Sequence, residues 1–145
     1  MIQRIQTVFL LLSLALLIPL FFLPIWEAAG SYNQTGKMNV VEGGTHFFLI
    51  PILALLVIAH LITIFSYKRR NRQKQLCVGN IFLFIIFILA ALLVLQLENQ
   101  IFQRLNLREF RPAFILPLFG IIFNLFARNA IRKDESLLRS MDRLR

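Results

Sequence analysis

Five polar residues lie within long apolar stretches of this sequence, and they are the side chains that could do chemistry there. They are Ser13, His60, Thr63, Asn80 and Asn124. A histidine in such a setting can bind and release a proton near neutral pH, and it marks a possible hydrated or proton-responsive site. The same residues can instead join helices through hydrogen bonds. The sequence favours hydrogen bonding, because a conducting path also needs polar groups at the other end of these stretches, where Gln96 is nearly alone.

Catalytic and metal-binding patterns are almost absent from the sequence. The chain contains two histidines, one cysteine and seven acidic residues, and no acidic residue lies inside an apolar stretch. A single cysteine cannot form an internal disulfide. No spacing resembles a metal-ligand cluster or a nucleophile with a base and an orienting acid. The sequence therefore predicts a protein that is not an enzyme and that binds no cofactor.

The elements that must position the polar residues are four long stretches with almost no charge. Apolar residues make up 58% of the 145 residues and charged residues only 16%, and the mean hydropathy is +0.71. A water-soluble domain does not have this composition. At about 1.5 Å per residue, each stretch can cross the roughly 30 Å of a bilayer core. The predicted spans are about 7–26, 47–67, 77–97 and 111–128.

Continuous apolar runs with short connections predict the fold class. We expect a single membrane domain over residues 1–145, an all-α integral membrane protein with four transmembrane helices in an up-down-up-down bundle. Lys and Arg residues alternate in abundance between the connecting segments, with 12 on one side and 4 on the other. The positive-inside rule then places both termini and residues 68–74 in the cytoplasm. Residues 27–46 form an outside loop of turn composition, with room for a small hairpin around residues 33–37.

Residues 68–74, called the basic segment below, carry five positive charges in a chain of net charge +9. These cations are Lys68, Arg69, Arg70, Arg72 and Lys74. Anionic lipid headgroups are the first expected ligand of such a loop beside the inner leaflet. A docking site for an acidic protein or for RNA is the alternative.

Residues 129–145, called the tail below, predict a cytoplasmic amphipathic helix. At 100° per residue the arginines form one stripe, made of Arg128, Arg132, Arg139 and Arg143. An apolar arc lies beside it, made of Ile131, Leu137, Leu138, Met141 and Leu144. Such a helix can lie in the headgroup region, or its leucine face can pack on a membrane or cytoplasmic partner protein. The sequence leaves both open and favours nucleic acid less.

Both ends of the chain carry distinctive short sequence motifs. Residues 1–7 read MIQRIQT and residues 128–135 read RNAIRKDE, followed by LRS at 138–140 and DRLR at 142–145. In these motifs, in its length and in its number of predicted spans, the chain resembles a family of small four-span membrane proteins of Bacteroidota known as domain of unknown function 4293. The resemblance implies an inner membrane location and a first span that is not cleaved. It implies no activity, cofactor or catalytic residue.

Three functional hypotheses follow from these features. The leading one is a non-enzymatic inner membrane protein that acts as a scaffold or accessory subunit through its basic segment and tail. The second is a small transporter or proton-responsive channel that uses His60 and Asn124. The third is an organiser of anionic lipid at the membrane surface.

Overall fold

The computed structural model describes the backbone of residues 3–32, 38–42, 47–99 and 111–142. The helices within these ranges are α1 (Gln3–Ala15), α2 (Leu17–Phe22), α3 (Leu49–Phe65), α4 (Arg70–Asn99) and α5 (Leu116–Asp142). The strands are β1 (Pro24–Tyr32) and β2 (Met38–Glu42), and short 3-10 turns cover Ser66–Lys68 and Pro112–Ile115. The long helices form a bundle, as the apolar runs predicted.

Helices α1 and α2 continue one another across a single turn residue, Leu16. Pro19 explains the interruption, because it has no N–H to donate to the carbonyl of Ala15. Helix α2 ends at Phe22, and Leu23 adopts extended dihedrals of φ −91° and ψ 139°. Leu23 precedes Pro24, and the proline ring disfavours helical backbone dihedrals in the residue before it. The first helical rod therefore ends four residues earlier than the span predicted for residues 7–26.

The segment predicted as an outside loop contains a two-stranded antiparallel sheet. Pro24 of β1 pairs with Glu42 of β2, and Trp26 pairs with Val41. The backbone N–H of Arg111 donates to the carbonyl of Ile25 across 3.2 Å, which ties the sheet to the chain that enters α5. Residues 33–37, where the hairpin turn was expected, lie outside the described residues. The paired strands β1 and β2 flank residues 33–37, where the predicted outside loop had room for a small hairpin.

Buried positions in the four rods recur at alternating spacings of three and four residues. In α1 and α2 they are Gln6, Leu10, Ser13, Leu17 and Leu20, and in α3 they are Leu49, Leu53, Leu56, His60 and Thr63. In α4 they are Gln73, Cys77, Asn80, Phe84, Phe87, Ala91 and Val94. In the last rod they are Ala113, Pro117, Gly120, Asn124, Ala127, Ile131 and Asp134. An average spacing of 3.5 residues is the pattern of left-handed coiled-coil packing.

The bundle has a definite neighbour order. Helix α5 packs against both α1 and α4, α3 packs against α4, and the contact between α1 and α3 is smaller. The main apolar core lies toward the sheet and includes Leu20, Ile25, Leu53 and Phe87. A second apolar cluster lies toward the other end and consists of Leu10, Cys77, Ala127 and Ile131. Buried Ser13, His60, Asn80 and Asn124 lie between these two clusters.

Three helical stretches in the described part of the chain are long and apolar enough to cross a membrane. They are Ile5–Phe22, Arg70–Val94 and Pro112–Leu137. Helix α3 is also apolar but shorter, at 17 residues. These lengths and compositions indicate a membrane protein.

The cationic parts of the chain continue the long helices. The basic segment is not the loop that the sequence predicted, because α4 begins at Arg70 and only the residues before it form the turn. The tail is helical as far as Asp142, and it extends the fourth rod because α5 is uninterrupted. The buried seam likewise continues past the apolar stretches, through Gln73 in α4 and through Ile131 and Asp134 in α5.

Candidate functional site

The structure brings the five intramembrane polar candidates together. Ser13 comes from α1, His60 and Thr63 from α3, Asn80 from α4 and Asn124 from α5. All five are buried at seam positions of their helices. Every one of them is hydrogen-bonded to at least one other, and we call this set the polar cluster.

His60 lies at the junction between α3, α1 and α5. Its Nδ1 is 2.9 Å from the carbonyl oxygen of Leu56, one turn earlier. Because a carbonyl only accepts, Nδ1 carries the hydrogen, and Nε2 is left to accept. Nε2 accepts from the Ser13 hydroxyl at 3.0 Å, and the Asn124 amide nitrogen lies 3.2 Å from it. The backbone carbonyl therefore selects the tautomer and orients the ring toward α1 and α5.

Asn124 links α5 to its neighbours on both sides. Its Nδ2 donates to Ser13 Oγ across 2.8 Å and to the Gly120 carbonyl across 2.9 Å. Its Oδ1 accepts from Asn80 Nδ2 at 3.5 Å, the longest contact of the cluster. The Asn124 side chain thus contacts polar groups from α1, α3 and α4.

Thr63 and Asn80 form the part of the polar cluster nearest the basic segment. Asn80 Nδ2 donates to Thr63 Oγ1 across 3.1 Å, while that hydroxyl donates to the Ala59 carbonyl across 2.7 Å. Gln73 extends the polar contacts by donating to the Thr63 carbonyl across 3.3 Å. These bonds fix the start of α4 against the end of α3.

Phe84 and Gly120 close the polar cluster on the side of the main apolar core, and sequence reasoning missed their partnership. The Phe84 ring lies edge-on to the His60 ring, with centroids 5.4 Å apart. A Cβ at position 120 would overlap the Phe84 ring, so only glycine leaves the space that the ring fills. Gly120 also supplies the carbonyl that accepts from Asn124 and lies 3.3 Å from Ser13 Oγ. A lone glycine in an apolar helix was the signal for this close approach.

The chemistry open to the polar cluster is limited by its burial. The distance from Ser13 Oγ to His60 Nε2 suits a hydroxyl nucleophile and its base. Both side chains are fully buried, however, and the Ser13 oxygen also accepts a hydrogen bond from Asn124. A substrate carbonyl therefore has no open approach to Ser13 Oγ. Groups of three His, Cys, Asp or Glu side chains that could bind a metal do not occur in the ranges described above. The arrangement favours hydrogen bonding between helices.

A second polar region lies where the start of α4 meets the later turns of α5. Arg70 Nη1 is 3.2 Å from Asp134 Oδ2, and Lys74 Nζ is 2.5 Å from Glu135 Oε2. The first contact lacks hydrogen-bond geometry, since that buried carboxylate oxygen has no hydrogen-bond partner, so the attraction is electrostatic. The sequence had treated the basic segment and the tail as two separate cationic surfaces. In the structure, two acidic residues of the tail bind two cations of the basic segment.

The remaining cationic candidates are distributed around this end of the bundle. Arg69, Arg72 and Arg132 are exposed, and Arg128 is half-buried. The side chains of Lys68 and Arg139, and all of Arg143, lie outside the described residues. Of the predicted apolar arc, Ile131 is buried against α1 and α4, whereas Leu137 remains 43% exposed. Among the described side chains of this region, the buried face of α5 contains Ala127, Ile131 and Asp134.

Comparisons with known proteins give one match. No curated protein and no solved structure shows significant similarity to the chain. The model of a family described as Domain of unknown function (DUF4293) matches residues 2–144, which is nearly the whole chain. This match confirms the family resemblance of the two ends of the sequence. The chain therefore belongs to the DUF4293 family.

Proposed function

We propose that this protein is a four-span inner membrane protein that acts without catalysis, as a scaffold or accessory subunit. The fourth crossing is assigned to α3, whose 17 residues extend about 26 Å. Its outward side carries exposed Leu55, Ile58 and Ile62, a surface that lipid tolerates and water does not. Packing along α4 supports a parallel course through the same bilayer.

The distribution of Lys and Arg supports the orientation. The cation-rich connections lie at the end of the bundle formed by the start of α4 and the later turns of α5. By the positive-inside rule this end faces the cytoplasm, together with both termini. The sheet of β1 and β2 then lies on the opposite side of the membrane.

The single observation behind the proposed role is the surplus of exposed positive charge at the cytoplasmic end. Asp134 and Glu135 bind Arg70 and Lys74 within the chain. Arg69, Arg72, Arg132 and Lys133 are exposed around these pairs. Such a surface attracts acidic groups on a partner, while the ion pairs hold α4 and α5 in a fixed relation beneath it. We therefore assign the interaction surface to this end of the bundle.

The orientation is tested by labelling intact cells with a thiol reagent that cannot enter them. Cys77 is buried, so single-cysteine additions report on their own positions. We expect Ser31→Cys to react from outside and Asn71→Cys to react only after the membrane is opened. Labelling of Asn71→Cys in intact cells would refute the orientation.

The interaction surface is tested by purification from native membranes in mild detergent. We expect a defined protein to copurify with the natural chain and to be lost from Arg69→Glu combined with Arg72→Glu. Lys37→Glu is the control, because it reverses one cation in the segment assigned to the other side of the membrane. Equal recovery of the partner from all variants would refute the assignment of the interaction surface to the cytoplasmic end.

Proton or ion handling is the second candidate, and the burial of His60 beside Ser13 and Asn124 is the observation that favours it. Mutual hydrogen bonding within the polar cluster favours the scaffold instead, because a relay needs partners that exchange with water. The third hypothesis, organisation of anionic lipid, concerns the same cationic end of the bundle. Lipid binding at this end is proposed separately below.

A further inference from the structure

Along one edge of the contact between α4 and α5, called the margin below, the side chains change from apolar to cationic. Each helix contributes one stripe of residues to this margin. The stripe on α5 contains Leu118, Ile121, Leu125, Arg128, Arg132 and Glu135, at alternating spacings of three and four. On α4 the corresponding stripe contains Lys74, Val78, Ile81 and Ile85. The ion pair between Lys74 and Glu135 joins the two stripes and so identifies the margin on which both lie.

Positive charge exceeds negative charge at the cytoplasmic end of this margin. Lys74, Arg128 and Arg132 lie on the two stripes with one carboxylate, Glu135. Guanidinium groups one helical turn apart can each direct two N–H donors at the oxygens of a phosphate. Toward the other end, the apolar side chains of the same margin are half-buried or exposed, including Leu118 at 47% and Ile85 at 40%.

The opposite margin of α5 has a different character. It faces α1, where the rings of Phe9 and Phe126 lie 5.7 Å apart and Gln6 donates to the Ala130 carbonyl across 3.3 Å. Side chains of the protein itself fill that contact. Lys133 lies on this side of α5, one residue from Arg132 but about 100° around the helix. Lys133 therefore carries the same charge as Arg132 on a margin that lacks the succession from apolar to cationic side chains.

We propose that the margin between α4 and α5 binds an anionic glycerophospholipid, with the phosphate at Arg128 and Arg132 and an acyl chain along Leu118, Ile121 and Leu125. This inference rests on the proposed four-span arrangement, which places Arg128 at the depth of the inner headgroups. From Leu118 to Arg128 the helix rises about 15 Å, which is half the thickness of a bilayer core. An inner-leaflet lipid has the same arrangement, with its acyl chain toward the bilayer centre and its phosphate about 15 Å away at the surface.

Native mass spectrometry of the full chain in mild detergent tests the site. Phosphatidylglycerol and phosphatidylcholine with the same acyl chains are titrated against it. We expect retention of phosphatidylglycerol, and binding about tenfold or more weaker in the Arg128→Gln, Arg132→Gln double variant, since each cation contributes to attraction. Lys133→Gln, with the same loss of charge on the other margin, should bind like the natural chain.

Several results would overturn the proposal. These are equal retention of phosphatidylcholine, an unchanged double variant, or a loss in Lys133→Gln as large as that in the double variant. Competition by inorganic phosphate at the lipid concentration, or occupation of the arginines by a copurified acidic protein, would also contradict it. If the double variant does not fold, Arg128→Lys and Arg132→Lys replace it, and we expect each to weaken binding because the guanidinium fork is lost.

Failure of this site and failure of the proposed orientation give different results. External labelling of Asn71→Cys refutes the orientation, whatever lipid is retained in detergent. Loss of lipid selectivity with Asn71→Cys still protected refutes the lipid site alone.

Discussion

Asn124 donates a 2.8 Å hydrogen bond to Ser13, which joins the last helix of the bundle to the first across 111 positions of sequence. The same amide nitrogen lies 3.2 Å from His60 Nε2 on α3. A one-turn slip of α5 would separate these atoms by about 5 Å and leave buried polar groups without partners. The polar cluster therefore specifies the register of the four rods, as a buried asparagine does in a coiled coil.

Replacement of Asn124 by alanine should destabilise the bundle. It removes the contacts to Ser13, His60 and Asn80 and leaves those groups buried, so we expect unfolding free energy to fall by about 1–2 kcal/mol. Thermal unfolding in detergent, followed by circular dichroism, measures the change. Asn129→Ala is the control, because Asn129 is exposed on the same helix. Equal effects of the two variants would contradict the assigned role.

Replacement of Gly120 by alanine should be costly, whereas the same change at Gly79 should not. A Cβ at position 120 overlaps the Phe84 ring, and overpacking of this kind costs about 1–3 kcal/mol. A Cβ at position 79 meets nothing within 4 Å, so Gly79→Ala should gain up to about 1 kcal/mol from helix propensity. The same unfolding experiment tests both. A loss at Gly79 as large as at Gly120 would show that the Phe84 contact is not the cause.

Arg70 and Asp134 should be coupled in a double-mutant cycle. Their ion pair joins the start of α4 to α5 in a partly buried setting. We expect Arg70→Gln and Asp134→Asn to destabilise the protein less than additively, with a coupling of about 0.5–2 kcal/mol. The exchange Arg70→Asp with Asp134→Arg should recover part of the loss of either single reversal. A cycle between Lys133 and Asp134 serves as control, and coupling of equal size there would point to general charge effects.

Reconstituted vesicles should show no proton flux that depends on His60. The Ser13 hydroxyl and the Asn124 amide hold the His60 ring within the buried polar cluster. We therefore expect the natural chain and His60→Ala to give the same flux as empty vesicles in a pH-gradient assay. A pH-dependent flux that is present in the natural chain and absent from His60→Ala would favour the transport alternative.

The helical rods could be predicted from apolar run length, but their packing faces could not. Nearly every residue of the apolar stretches is hydrophobic, so no polar face marks which side points outward. The information lay in the small and polar exceptions. Cys77 and Asn80 follow the three-and-four spacing of the buried positions, as do Gly120, Asn124 and Ala127. A search for that spacing among the exceptions would have predicted the seams.

The grouping of the five polar residues was foreseen because helix direction and depth place them in the same half of the apolar stretches. The ion pairs between basic segment and tail were not foreseen. Each segment was considered as a surface for lipid or a partner, and the two acidic residues within RNAIRKDE were not considered as partners of the basic segment. Asp134 occupies a seam position three residues after Ile131, and that spacing was the available signal.

Helix α5 runs unbroken from Leu116 to Asp142, a length of about 40 Å. This one helix carries both the contacts of Asn124, near one third of its length from Leu116, and the ion pair of Asp134. A molecule that pulls on the last turns of α5 would therefore act on Ser13 and His60 through a continuous backbone. One helix thus connects the cation-rich end mechanically to the middle of the bundle.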